Sequence, residues 1–272
     1  MSNKSSKGGL MDALRSVFTL GAMIIALIVS ILLFHYIMGN PINFEGGNHN
    51  GTPLPGNYLG IIYKGGMIVP LLMTVNLILI IFSIERLITL TRASGKGKIN
   101  VFVKNLQNLL DNNKIEDAII ACDKQKGSLA NVMKAGLLRY RALQDDKTLV
   151  KDQKILALQK EFEEASALEL PMLSRNLVIL STIASISVLI GLLGTVLGMI
   201  RAFGALAQAG SPDALALATG ISEALINTAF GITGSLLAIV LYNSFSTQID
   251  SFTYKIDEAG FSLVQSFAAS TK

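Results

Sequence analysis

The chain has 272 residues, of which 51% are apolar and 15% charged, with no Trp and a mean hydropathy of +0.52. Soluble domains carry about 25% charged residues, so this composition predicts a membrane protein. One cysteine and two histidines exclude a disulfide framework and argue against a metalloenzyme. The net charge of +4 lies in segments that flank apolar runs, which argues against a nucleic-acid partner.

The first apolar run, residues 17–38, carries no charged residue and follows an N-terminal tail of residues 1–16. A helix needs about 20 apolar residues to cross the hydrocarbon core of a bilayer. A cleaved signal peptide is the alternative, but the run is longer than a signal-peptide core and its cleavage signal is weak. We therefore predict a retained span. His35 near its outer end is typical of an interfacial residue, with proton carrying as the alternative role.

Three further runs with few charges predict three more spans. Glu85 and Arg86 close the first of these, and Pro70 lies in its first turns, where a missing N–H group costs least. After residue 38 we predict a periplasmic loop at 39–65, a span at 66–90, a cytoplasmic helical domain at 91–173, a span at 174–202, a periplasmic hairpin at 203–219, a span at 220–248 and a cytoplasmic C-terminal helix or tail at 249–272.

Residues 91–173 have apolar side chains at helical spacing and no strand-like alternation of any length. Pro171 predicts a kink or a restart of the helix just before the third span. The predicted fold class is therefore all-α. We expect a polytopic membrane protein with four transmembrane helices, in which long helices extend into a helical cytoplasmic domain.

The basic residues predict the orientation of the spans. Most of the 23 Lys and Arg residues lie between the second and third spans, whereas the loop 39–65 carries one and the hairpin 203–219 carries none. Because basic loops stay in the cytoplasm, both termini are predicted inside. Cys122 would then lie in a reducing compartment.

Small residues concentrate on one face of the third span and one face of the fourth. Close packing of helices explains such glycines, which are Gly191, Gly194, Gly198, Gly231 and Gly234. Thr195 and Thr228 lie among them, and each hydroxyl can satisfy itself on the carbonyl four residues earlier. Two such faces in consecutive spans also fit a narrow polar path or a groove for a partner helix.

Charged and amide residues lie near the ends of the spans. Glu223 opens the fourth span, where the helix dipole stabilises an acid, and ion entry is the alternative role. Arg201 ends the third span, where snorkelling to the interface explains it. Glu85 and Arg86 are adjacent, so we expect them to point in different directions at the inner membrane edge. Both, with Arg201 and Asn227, are candidate contacts to another subunit.

No carboxylate lies at mid-depth in any predicted span, although proton pathways use titratable groups within the membrane. If this chain conducts protons, the titrating carboxylate must come from another subunit. The sequence shows no nucleophile–base pair and no phosphate-binding motif, so we predict no enzyme, no catalytic residue, no metal and no cofactor.

The stretches GLLGTVLGMIRAF (191–203) and AGSPDALALATGISEALINTAFGITGSLLAIVLYNSF (209–245) resemble the MotA/TolQ/ExbB proton-channel family, most closely its ExbB and TolQ branch. The resemblance is close over about residues 170–252. It implies a subunit of a bacterial inner-membrane motor that forms a homopentamer around two single-span partners of the ExbD/TolR type. The partner's transmembrane Asp would titrate, and the work would pass to a TonB-like or TolA-like protein that spans the periplasm.

Carried onto this chain, the resemblance implies that Thr195 and Thr228 face a central pore near the partner's Asp, and that Glu223 also faces the pore. The translocated ion is expected to be H⁺, with Na⁺ left open. The span 17–38 is extra to the usual family pattern, and the four-span flagellar MotA branch ranks second. The alternatives are TolQ-like envelope maintenance and a passive scaffold. A solute transporter would require an internal repeat of spans, which we do not find.

Overall fold

In the computed structural model, the described residues are 5–49, 51–146, 148–208 and 214–270. They form helices and no strand, apart from one isolated bridge between Phe44 and Pro53. The predicted all-α class is therefore confirmed. The α-helices are α1 (Ser5–Leu32), α2 (Tyr58–Tyr63), α3 (Ile68–Ala93), α4 (Ile99–Asp111), α5 (Ile115–Gln125), α6 (Gly127–Asp145), α7 (Lys151–Ser174), α8 (Leu177–Gln208) and α9 (Ala214–Ser270).

Four segments of the described chain are long and apolar enough to cross a membrane. They are Thr19–Met38, Ile68–Ala93, a segment within 151–207 and a segment within Ala214–Ser270. The length of the apolar segment decides whether a helix can cross a membrane, because about 20 residues of helix match the thickness of the hydrocarbon core. The polytopic membrane class is confirmed, whereas the predicted membrane boundaries stay predictions.

The chain divides into two compact units. The first unit lies within residues 1–83 and 178–242, and the second comprises residues 84–177 and 243–272. Each unit therefore combines segments that are far apart in the sequence.

In the first unit, the predicted loop 39–65 is an ordered module. After α1 the chain continues as a π-helix, Leu33–Met38. The Asn43 side-chain amide donates to the carbonyls of Ile37 and Met38 at 2.8 and 2.9 Å, which satisfies the end of that helix. The Tyr63 ring stacks on Phe34 with centroids 4.7 Å apart. The Gly, Asn and Pro content predicted a loop but not this packing.

In the second unit, α4 to α7 pack with the C-terminal part of α9. The apolar side chains at helical spacing form its core, including Phe102, Leu106 and Leu110, all of which are buried. The Tyr140 ring meets Phe267 edge to face at 4.7 Å, and its hydroxyl lies 2.8 Å from Ser270 Oγ. The predicted tail 249–272 is therefore helical to Ser270 and docked.

The helix break before the third span lies later than predicted. Pro171 lies inside α7, and the helix ends at Ser174. The predicted kink at Pro171 stays a prediction, and the helix restarts not at Pro171 but after Asn176, whose φ of 63° is tolerated by Asn. Helical structure also occupies much of the predicted hairpin 203–219, and its residues 209–213 lie outside the described part of the chain.

Candidate functional site

The small-residue faces of α8 and α9 meet in the first unit. A Cβ atom on Gly191 would lie 2.9 Å from the Asn227 carbonyl oxygen and 3.0 Å from the Gly231 Cα. A Cβ atom on Gly198 would lie 2.9 Å from the Ala224 nitrogen. Real Cβ atoms do not approach backbone this closely without a shift, so the glycines set the distance between the two helices.

The Thr195 and Thr228 hydroxyls form a pair across these two helices. Each also contacts a carbonyl four residues earlier, Gly191 for Thr195 and Ala224 for Thr228, at 3.2 Å. Each threonine hydroxyl therefore contacts a carbonyl of its own helix, as expected for an isolated threonine, and also the hydroxyl on the other helix. Both side chains are half-buried, so the hydroxyl pair lies at an accessible edge of the helix pair.

Glu223 and Arg201 form an ion pair that joins the end of α8 to the start of α9. The side chain of Glu223 is 8% exposed and that of Arg201 is 53% exposed. Snorkelling to the membrane interface is therefore not the whole role of Arg201, because its guanidinium also neutralises a buried carboxylate. Glu223 is neither a bare dipole-stabilised acid nor a free charge in this structure.

The turn before α3 packs on the same face of α9. The Asn227 amide donates to the Gly65 carbonyl at 2.9 Å, and Gly66 lies against the Glu223 carboxylate. Gly66 has a φ of 77°, which few other residues adopt, and a side chain there would overlap Glu223. Glu223 and Asn227 are four residues apart and share a face. Together they hold the Gly65–Gly66 turn.

Gly194 makes room for Asn227. A Cβ atom on Gly194 would lie 2.5 Å from the Asn227 Cβ. The side chain of Asn227 is fully buried, and its Oδ1 has no hydrogen-bond partner among the described residues. Burial of an unpaired amide acceptor costs free energy.

A second polar cluster brings together α3, α8 and α9. A Cβ atom on Gly234 would lie 2.5 Å from Ser187 Oγ and 2.7 Å from Asn76 Oδ1. Ser187 is fully buried, and its hydroxyl has no partner in the described part of the chain. The sequence pattern singled out neither Asn76 nor Gly65 as a site residue. Asn76 is the only side-chain amide in the predicted span 66–90, which is the signal that could have identified it.

Glu85 and Arg86 belong to the second unit and bind each other. The Arg86 Nε and Nη2 atoms donate to the two Glu85 oxygens at 2.8 and 2.7 Å, and Nη1 donates to the Leu173 carbonyl at 3.0 Å. The expectation that these neighbours point in different directions is wrong, because both side chains bend toward the end of α7. Asn176 donates to Glu85 as well, at 3.3 Å. A contact to another subunit stays a prediction.

Of the residues that the sequence singled out, the structure brings together Thr195 with Thr228, and Arg201, Glu223 and Asn227 with the Gly65–Gly66 turn. His35 is elsewhere, beside Tyr36 in the π-helix. Within the described residues, no group of three or more His, Cys, Asp or Glu is placed to hold a metal ion. The chemistry available at the helix pair is that of hydroxyls, amides and one neutralised carboxylate.

Residues 124–258 match the model of the MotA/TolQ/ExbB proton channel family. The biopolymer transport protein ExbB of Salmonella typhimurium is 42% identical over 73 residues, which are 27% of this chain and 30% of that protein. The Tol-Pal system protein TolQ of Haemophilus influenzae is 40% identical over 83 residues, 30% of this chain and 36% of that protein. The TolQ protein of Pseudomonas aeruginosa is 26% identical over 155 residues, 57% of this chain and 67% of that protein.

The chain spans about a third of the length of the first two relatives, and these matches include ExbB and TolQ proteins alike. The family match covers α6, α7, α8 and most of α9, and so includes the hydroxyl pair. Because its sequence matches the family model and it has four helices apolar enough to span a membrane, the chain belongs to the MotA/TolQ/ExbB proton channel family.

Proposed function

We propose that this chain is a non-enzymatic, ion-conducting subunit of an energy-coupling complex in a bacterial inner membrane, with both termini in the cytoplasm. The translocated ion is a proton, and no cofactor takes part. The observation that carries the proposal is the Thr195–Thr228 hydroxyl pair, which lies at an accessible edge of two membrane helices. Family membership and the names of the ExbB and TolQ relatives support it.

The hydroxyl pair is incomplete as a proton pathway. Hydroxyls donate and accept hydrogen bonds but do not titrate near neutral pH, so a carboxylate must complete the path. The α8 sequence carries no Asp or Glu, and Glu223 is the one acid between Asp213 and Asp250. Arg201 neutralises Glu223. We therefore propose a homopentamer around single-span ExbD/TolR-like partners, each of which supplies a transmembrane Asp.

The work is proposed to pass to a TonB-like protein that spans the periplasm, for transport across the outer membrane. A TolQ-like role in envelope maintenance is the second candidate, because the TolQ matches are comparable in identity to the ExbB matches. Purification of the native complex and mass analysis of its partners would separate the two roles. A TonB-like partner supports the first and a TolA-like partner the second.

Replacement of both threonines tests conduction against a passive scaffold. Thr195→Val with Thr228→Val keeps the side-chain volume close to that of the native pair but removes both hydroxyls. We expect proton flux in liposomes containing the purified complex to fall about tenfold or more, while the subunit ratio stays unchanged.

The matched control is Thr182→Val with Thr233→Val. These threonines lie on exposed faces of the same two helices and bond only to carbonyls four residues earlier, at 2.7 and 2.8 Å. We expect the control to conduct like the native complex. Normal flux in the Thr195–Thr228 variant would contradict the proposed pathway and favour the scaffold.

A further inference from the structure

A cavity of about 430 Å³ lies in the second unit, between the loop that follows α3 and the helices α4 and α5. Lys96, Lys98 and Lys124 supply its basic lining, and Val101 supplies part of an apolar wall. No acidic residue is among the described residues that line it. The cavity is within the size range of small-molecule sites, about 300–1,000 Å³.

Hydrogen bonds join the loop that carries Lys96 and Lys98 to the end of α5. The Lys96 backbone N–H donates to the Gln125 carbonyl at 2.6 Å, and the Gln125 side chain donates to the Ser94 carbonyl at 3.1 Å. Gly95 has a φ of 73°, and a side chain there would overlap the Lys126 carbonyl. The loop is thus fixed to the end of α5, so the backbone positions of Lys96, Lys98 and Lys124 are set before any ligand binds.

None of the three ammonium groups takes part in a salt bridge with a carboxylate of the described residues. The neighbouring acid, Asp123, binds Lys134 instead. Like charges around one concave surface repel each other and raise the local concentration of anions. The arrangement therefore favours a multivalent anion over a single carboxylate.

We propose that this cavity binds a phosphorylated ligand, with its phosphate groups on Lys96, Lys98 and Lys124 and its organic part against Val101. Lysine binds phosphate as a point charge, and three lysines suit a group with several charges, such as a diphosphate. Val101 is 63% exposed, which leaves apolar surface for an organic moiety. Two sources carry this chemistry, a soluble phosphorylated metabolite and the phosphate headgroup of an anionic lipid.

Binding is tested with the full chain purified in detergent, by calorimetric titration of pyrophosphate and of ATP. A parallel titration uses nanodiscs that contain phosphatidylglycerol, compared with phosphatidylcholine alone. The variant is Lys96→Gln, Lys98→Gln and Lys124→Gln together. Its matched control is Lys114→Gln, Lys151→Gln and Lys160→Gln, which removes the same charge from exposed lysines outside the cavity lining.

We expect the Kd for pyrophosphate to rise about tenfold or more in the cavity variant and to stay within about twofold in the control. Tighter binding of ATP than of pyrophosphate identifies a soluble organic ligand. Binding that requires phosphatidylglycerol and is lost in the cavity variant identifies a lipid source. Absence of binding to every probe, or equal loss in both variants, overturns the proposal. Ion conduction does not enter these measurements, so the result is independent of the proposed channel function.

Discussion

The Thr195 hydroxyl contacts both its own helix and the neighbouring helix. Its position among glycines predicts either a hydroxyl bonded to its own helix or part of a polar face, and the sequence leaves both open. In the structure it contacts the Gly191 carbonyl and the Thr228 hydroxyl at once. The partner across the helix pair is 33 residues away in the sequence, so local pattern could not identify it.

The Arg201–Glu223 ion pair predicts unequal effects of single substitutions. In Arg201→Ala the Glu223 carboxylate stays buried without its partner, so we expect a loss of about 1–3 kcal/mol in the free energy of unfolding. Glu223→Gln keeps the shape and removes the buried charge, so its loss should be smaller. Thermal unfolding of the purified complex measures both.

The double variant Arg201→Ala with Glu223→Gln provides the control for that ion pair. Because the buried charge is gone, its loss should be smaller than the sum of the two single losses. Strictly additive losses would show that the two side chains do not interact in the assembled protein.

We predict that the thiol of Cys122 reacts slowly in the folded protein. Cys122 is 2% exposed, and burial raises the pKa of its thiol to about 12, with a further contribution from Asp123. The reactive form is the thiolate, which is populated only as the pH approaches the pKa. At pH 8 we therefore expect maleimide labelling of the native protein to be slow. Labelling in denaturant should be complete, and equally fast labelling of native protein would contradict this burial.

At the scale of elements, α8 packs closely on α9 because glycines at the contact have no side chain. Gly191→Ala would place a Cβ atom 2.9 Å from the Asn227 carbonyl, so we expect about 1–3 kcal/mol of destabilisation. Size-exclusion chromatography after heating measures this destabilisation as a smaller fraction of intact complex.

Gly204→Ala is the matched control on the same helix, because no described residue outside its own stretch of helix comes within 4 Å of a Cβ atom there. Alanine favours helix over glycine by about 1 kcal/mol, so this variant should be as stable as the native chain or more stable. Equal behaviour of the two alanine variants would show that the glycines do not set the helix spacing.

At the scale of the whole molecule, the orientation in the membrane is open to a direct test. In a Cys122→Ala background, Pro55→Cys and Lys160→Cys place one exposed thiol on each predicted side of the membrane. A membrane-impermeant maleimide should label Pro55→Cys in intact spheroplasts and Lys160→Cys only after lysis. The reverse pattern would overturn the orientation with both termini inside.

The sequence determined the properties that are sums over neighbouring residues. Hydropathy over about 20 residues predicted four helices able to span a membrane, and spacing of apolar residues predicted an all-α fold. The contiguous motifs around Thr195 and Glu223 indicated the family. These signals are local, so no knowledge of the packing was required to find them.

Only the tertiary structure decided which polar groups meet. The Asn227–Gly65 hydrogen bond joins residues 162 positions apart, and the Arg86–Leu173 bond joins residues 87 apart. Such contacts depend on how distant helices pack, which no local propensity encodes. The same holds for the break at Asn176 rather than at Pro171. A proline in a helix can be accommodated by its surroundings, whereas the φ of 63° at Asn176 is a property of the folded backbone.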